Sequence, residues 1–178
     1  MKAKSSVNIA LTAVFAAIYS IGVVFLAPIS FQVFQVRVAD ALLPLAMLFG
    51  WPAVLGLSLG AFVANIFGGL GPIDMVGGSV ANFIATLVAW RIATSKGKRW
   101  ALAGVGAEII VVTLVVGTYL SYLLAIPLEI SWLGIFLGSL TAIGVLGSIL
   151  FFALSTERIV GTLRTFGLGI YTQPSEKK

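Results

Sequence analysis

The 178-residue sequence contains no cysteine and no histidine, and only 10% of its residues are charged. Without cysteine the chain can form no disulfide bond and has no thiol nucleophile, and without histidine it lacks the commonest general base. It also shows no phosphate-binding loop, no redox motif and no cluster of metal ligands. These absences argue against an enzyme with a resident metal or cofactor, so energy for any active process would have to come from another protein.

Hydrophobic residues take the place of the missing polar ones. They make up 60% of the chain, and the mean hydropathy is +1.12. Soluble domains contain about 45–50% apolar and about 25% charged residues. The composition therefore predicts an all-α membrane protein with a single integral membrane domain over residues 1–178. The first apolar run follows MKAKSS, but further spans follow it, so we expect a retained helix rather than a cleaved signal peptide.

The apolar runs predict six transmembrane helices, since a bilayer needs about 20 apolar residues for each helical span. Their approximate bounds are 8–27, 39–50, 53–67, 75–94, 101–125 and 132–154. The second is short for a complete crossing. Six spans place both termini on one side, together with every lysine and arginine except Arg37. The positive-inside rule makes that side cytoplasmic in a multi-pass protein of the cell membrane, and assigns the basic charge to topology rather than to nucleic acid.

Residues 28–50 interrupt the apolar pattern with four polar side chains: Gln32, Gln35, Arg37 and Asp40. Ionisable residues inside a membrane are costly, which makes them functional candidates. One interpretation is structural: Arg37 and Asp40 form an ion pair and Asp40 caps the second helix. The other is that at least one of the four faces a ligand. The alternation over residues 31–38 also predicts a short extended segment.

Further polar residues lie in or beside the other spans, and each has a structural alternative to substrate contact. Asn65 and Asn82 fit hydrogen bonds between helices, Asp74 fits a helix cap and Ser79 fits packing. Glu129 and Trp132 fit an interfacial belt with Tyr122. Glu108 lies about 10 Å from the cytoplasmic end of its span, by the helical rise per residue. That depth leaves open whether Glu108 reaches a site in the outer half.

One stretch of the chain, QVRVADALLPLAMLFGWPAVLGLSLGAFVANIFGGLGPIDMVGGS, resembles the QueT family. These proteins are substrate-binding membrane subunits (S-components) of energy-coupling-factor (ECF) transporters. The resemblance covers roughly residues 32–90. It departs from the family pattern at Asn82, and at Asp40 the sequence has the less common of the two acidic residues that the pattern allows. The matching residues are Gln35, Arg37, Asp40, Ala41, Leu42, Gly50, Trp51, Gly56, Leu57, Gly60, Ala64, Asn65, Gly68, Gly69, Asp74, Gly78 and Ser79.

The resemblance implies the six-helix ECF S-component fold and a queuosine precursor, either a 7-deazaguanine base or queuine, as substrate. It also implies two kinds of partner, a transmembrane coupling subunit and a pair of ATPase subunits. In S-components a small-residue motif on the first helix docks the coupling subunit, and Ala13 and Ala17 supply it here. From the residues alone, the same pair also fits packing inside the chain.

Three other functions stay open at this point. The first is an S-component for another small molecule, such as a vitamin or an aromatic amino acid. A membrane enzyme is disfavoured because no carboxylate cluster would hold Mg²⁺ on phosphates. An autonomous transporter is disfavoured because the sequence shows no inverted halves with broken helices.

Overall fold

The computed structural model describes residues 2–31 and 35–171, so Gln32 and the centre of the predicted extended segment lie outside the described residues. Every regular element within these two ranges is helical, which confirms the all-α prediction. The elements in chain order are α1 (Lys2–Phe25), α2 (Ala27–Ser30), a 3₁₀ segment (Val38–Leu45), α3 (Ala46–Phe49), α4 (Trp51–Gly68), α5 (Pro72–Lys96), a 3₁₀ turn (Lys98–Trp100), α6 (Ala101–Leu124), α7 (Leu128–Ser139), a π segment (Leu140–Gly147), α8 (Ser148–Leu154) and α9 (Glu157–Thr165).

Glycine and proline set the boundaries between the long helices. Pro52 and Pro72 lie in the first turns of α4 and α5, where a missing backbone N–H breaks no helical hydrogen bond. Gly69 ends α4 in the left-handed conformation at φ 73°, which costs glycine no steric energy. The predicted spans 53–67, 75–94 and 101–125 lie within about three residues of the bounds of α4, α5 and α6.

Five stretches are long and apolar enough to cross a membrane, which makes this a multi-pass membrane protein: Ser6–Phe25, Trp51–Gly68, Pro72–Lys96, Ala101–Leu124 and Leu128–Leu154. The stretch predicted as the second of six spans is a shorter apolar helix over Val38–Phe49.

The short helix, formed by the 3₁₀ segment and α3, packs beside α5. At one end, Arg37 lies within electrostatic range of Asp74 in the first turn of α5. At the other end, Leu48 O accepts a 2.9 Å hydrogen bond from the backbone N–H of Tyr171, whose ring packs on Trp90 near the end of α5. The 3₁₀ rise of about 2.0 Å per residue extends this helix to about 22 Å, and the α-helical stretch from Asp74 to Trp90 covers about 24 Å.

Two glycines on α4 bring α1 into close contact. A Cβ at Gly56 would lie 2.6 Å from the backbone oxygen of Thr12, and a Cβ at Gly60 would lie 2.8 Å from that of Ala16. The face of α1 that packs inside the protein therefore runs along Thr12 and Ala16. Ala13 and Ala17, each one residue further along the helix, are exposed, so neither is buried against another part of this chain.

The last long helix is not a regular α-helix. It begins at Leu128, earlier than the predicted residue 132, and includes a π segment between α7 and α8. The π segment packs on the 3₁₀ segment, where a Cβ at Gly147 would lie 2.9 Å from Pro44 Cγ. π turns are rare and occur frequently at functional sites. Two irregular helices thus meet in the middle of the bundle.

Candidate functional site

A narrow cavity lies between the 3₁₀ segment and helices α5, α6 and α7. Its volume is about 10 Å³, which is room for roughly one water molecule. Four of the lining residues were predicted from the sequence, and the other four come from α6 and α7. The complete lining is Gln35, Arg37, Asp40, Asn82, Val112, Val116, Ile135 and Ser139.

Asp40 is held by a tyrosine rather than by an arginine. The Tyr19 hydroxyl of α1 donates a 2.5 Å hydrogen bond to Asp40 Oδ1, and both side chains are buried. Within residues 2–31 and 35–171, Asp40 forms no direct ion pair with Arg37 and no side-chain cap for the 3₁₀ segment. Neither structural role considered for Asp40 from the sequence is therefore present, and its carboxylate lines the cavity.

Arg37 is buried beside the cavity without a direct carboxylate contact. Its guanidinium carbon lies 5.6 Å from the centre of the Phe31 ring, a cation–π distance. Its Nε has no hydrogen-bond partner among the described residues. The positive charge acts on both Asp40 and Asp74. Arg37 therefore balances two carboxylates while keeping at least one donor unused.

The backbone just before Arg37 rests directly on α7. A Cβ at Gly138 would overlap the carbonyl oxygen of Gln35, so no larger residue fits there without displacing the chain. Gln35 and Ser139 both line the cavity at this contact. The π segment begins at Leu140, the residue after Ser139. The close approach at Gly138 thus sets the position of the Gln35 segment over the cavity.

A second tyrosine–aspartate pair lies at the start of α5. The Tyr119 hydroxyl donates a 2.8 Å hydrogen bond to Asp74 Oδ1, and Asn65 Nδ2 donates a 2.8 Å bond to the backbone oxygen of Asp74. Asp74 Oδ2 and Asn65 Oδ1 are buried without a described partner. The carboxylate of Asp74 does not cap its helix, since Gly71 holds the cap position and no side-chain cap bond forms.

Asn82 and Ser79, both on α5, differ in their surroundings. Asn82 lines the cavity, faces the Tyr19 hydroxyl and donates a long 3.5 Å hydrogen bond to the Leu57 carbonyl. Ser79 donates a 2.9 Å hydrogen bond to the backbone oxygen of Ser58 on α4. Asn82 is thus available at the cavity, whereas Ser79 joins two helices.

Glu108 on α6 is fully buried, and neither of its carboxyl oxygens has a described partner. It lies one helical turn from Val112, a cavity-lining residue of the same helix face. Asp40 is near enough for its charge to act on Glu108. The sequence left open whether Glu108 reaches the site, and the structure places it on the α6 face that lines the cavity, one turn before Val112.

Glu129 and Trp132 do not line the cavity. Glu129 is exposed at the start of α7. Trp132 Nε1 donates a 3.1 Å hydrogen bond to Thr118 Oγ1, and its ring lies against Gly117. The structure therefore does not bring these two residues together with Arg37 and Asp40.

Sequence reasoning missed the two tyrosines and the α6–α7 wall of the cavity. Tyr19 and Tyr119 each place a hydroxyl inside an apolar span, and that hydroxyl was the available signal. Ser139, Val112 and Val116 carry no such signal, because small and aliphatic residues are ordinary in a membrane helix. Among the described residues no group of three or more acidic side chains could hold a metal ion.

The family comparison covers most of the chain. A sequence model of the family described as "QueT transporter" matches residues 9–156. The matched range includes both tyrosine–aspartate pairs and every residue of the cavity. No curated protein and no solved structure matches the chain.

Proposed function

This chain belongs to the QueT transporter family, and we propose that it is the substrate-binding subunit of an ECF importer that captures a queuosine precursor from outside the cell. The observation that carries this proposal is the arrangement around Arg37. Two buried aspartates, each bonded by a tyrosine, lie within range of its charge beside a central cavity. A transporter site of this kind needs polar groups fixed in an apolar bundle.

The polar groups fit the edge of a 7-deazaguanine base. That edge presents an N–H and an exocyclic amine as adjacent donors, with a carbonyl acceptor beside them. A carboxylate such as Asp40 can accept the donor pair, and it retains free lone pairs after bonding to Tyr19. Gln35 or Arg37 can donate to the carbonyl. Each charged hydrogen bond contributes about 1.5–3 kcal/mol, so a few of them with burial of the ring support tight binding.

Binding requires the cavity to widen. Ligand sites commonly measure about 300–1,000 Å³, whereas this cavity measures about 10 Å³. The wall formed by Ile135 and Ser139 adjoins the irregular π segment. We therefore place the widening between α6 and α7, where the helix departs from regular geometry.

The partners follow from the family and from the exposed face of α1. Ala13 and Ala17 lie on that face, and small residues at this spacing allow a partner helix to approach closely. We propose that the coupling subunit docks there and that two ATPase subunits supply the energy. The helix over Val38–Phe49 would complete six crossings, which would leave both termini in the cytoplasm.

Uptake by reconstituted vesicles tests this function. Radiolabelled queuine is supplied outside vesicles that contain this chain alone, or the chain with the coupling subunit and both ATPases. We expect uptake only in the complete complex and only with ATP on the ATPase side. Uptake by the chain alone, without ATP, would identify an autonomous transporter and contradict the proposal.

A further inference from the structure

The buried charges of the site do not balance. The ionisable side chains buried within residues 2–31 and 35–171 are three acids, Asp40, Asp74 and Glu108, and one base, Arg37. Buried charges are normally paired, because burial without a partner removes the stabilisation that water gives. Among the described residues, the three buried acids therefore share a single buried cation.

The imbalance is concentrated at Glu108. Tyr19 donates to Asp40 and Tyr119 donates to Asp74, and Arg37 acts electrostatically on both of those aspartates. Among the described residues Glu108 has no donor on either oxygen, and the charge that acts on it is the negative charge of Asp40. Buried polar groups are hydrogen-bonded in the great majority of cases, and an exception calls for a missing partner.

The position of Glu108 connects it to the cavity. Val112 and Val116 line the cavity from α6, and Glu108 continues the same helix face at a spacing of four residues. Four residues correspond to about 6 Å along the helix axis. A group bound between Arg37 and Asp40 would thus have the carboxyl group of Glu108 one helical turn beyond the α6 wall of its pocket, and Arg37 Nε has no partner among the described residues.

We propose that Glu108 binds a positively charged substituent of the substrate, so that the site selects a deazaguanine that carries an ammonium group over an uncharged one. This inference rests on the proposed function. The substituent at C7 of the base leaves from a different edge than the donor pair that Asp40 would accept. Glu108, one turn before the lining residue Val112 on α6, offers a second carboxyl group for it. An ammonium group offers three hydrogen-bond donors. It also brings the positive charge that no described residue places beside Glu108.

The test compares two ligands that differ in one group. The purified chain is titrated by calorimetry with 7-aminomethyl-7-deazaguanine, which carries an ammonium group, and with the 7-hydroxymethyl analogue, which is uncharged and of similar size. We expect the aminomethyl base to bind about 10- to 100-fold more tightly, the range of a charge-assisted hydrogen bond. This comparison uses the unaltered protein, so it does not depend on a variant that folds.

A variant then assigns the preference to its residue. Glu108→Gln keeps the shape and removes the charge, and we expect it to lose the preference by weakening only the aminomethyl base. Glu157→Gln makes the same change on the exposed start of α9 and should keep the preference.

Equal affinities of the unaltered protein for the two bases would overturn the inference and leave the proposed function intact. A Glu108→Gln protein that retains the preference would also overturn it. Failure to bind either base, and queuine as well, would instead overturn the proposed function together with the inference.

Discussion

The Tyr19 hydroxyl donates a 2.5 Å hydrogen bond to Asp40 Oδ1 and thereby joins α1 to the lining of the cavity. The same helix carries Ala13 and Ala17 on its exposed face. The proposed substrate site and the proposed docking surface therefore share one helix, with Tyr19 on its inner side. A ligand that contacts Asp40 would act on a group bonded directly to the helix that meets the coupling subunit.

Removal of the Tyr19 hydroxyl should destabilise the protein. Tyr19→Phe leaves the buried carboxylate of Asp40 without its donor, which we expect to lower the free energy of unfolding by about 1–3 kcal/mol. Thermal denaturation in detergent measures the loss. Tyr122→Phe removes a hydroxyl from a side chain that is 79% exposed and serves as the control. An unchanged melting temperature in Tyr19→Phe would show that the bond adds nothing to stability.

A single methyl group at Gly138 should displace the backbone at Gln35 and Val36. Gly138→Ala places a Cβ into the backbone carbonyl of Gln35, and overpacking of this kind costs about 1–3 kcal/mol. We expect a lower melting temperature and weaker binding of the deazaguanine. Gly106→Ala is the matched control, because nothing lies within 4 Å of a Cβ there. Unaltered binding by Gly138→Ala would mean that the Gln35 segment takes no part in the site.

Bulk on the exposed face of α1 should separate binding from transport. Ala13→Leu together with Ala17→Leu is expected to abolish uptake by the complete complex while the isolated chain keeps its ligand affinity. Ala103→Leu together with Ala153→Leu adds the same bulk at exposed positions of α6 and α8 and should leave uptake unchanged. If the Ala13 and Ala17 variant lost ligand affinity to the same extent as uptake, the docking assignment would be wrong.

The orientation can be measured directly because the chain has no native cysteine. Ser95→Cys lies near the inner end of α5, and Glu129→Cys lies at the outer start of α7 in the proposed topology. A thiol reagent that does not cross membranes should label position 129 in intact cells and position 95 only after permeabilisation. The reverse pattern would invert the topology, and labelling of both positions from outside would refute the span count.

The sequence was sufficient for the long helices because each follows a local signal. Apolar runs between proline and glycine boundaries predict α4, α5 and α6 to within a few residues. The 3₁₀ and π segments could not be predicted in this way. They depend on the contact between Pro44 and Gly147, which brings together residues far apart in the chain.

The charged residues of the candidate site could be predicted, because charge is rare in this chain. The remaining lining residues could not, because helix rotation decides which side chains face the cavity. Arg37 and Asp40 stand out in an apolar chain, and the structure places both at the cavity. The ion pair that was one of two interpretations of these residues does not form among the described residues, and Asp40 Oδ1 instead accepts a hydrogen bond from Tyr19. Which polar residue faces the cavity depends on helix rotation, and for this reason Asn82 lines it while Glu129 and Trp132 do not.

Calorimetric titration of the purified chain tests the central claim most directly. The ligands are queuine, the aminomethyl and cyano 7-deazaguanines and guanine, with riboflavin, thiamin and tryptophan as unrelated controls. We expect saturable, tight binding of at least one deazaguanine and weak binding of guanine, and Asp40→Asn should weaken the tight ligand by about 10-fold or more. Binding of a vitamin or an amino acid, with no response to any deazaguanine, would contradict the proposed substrate.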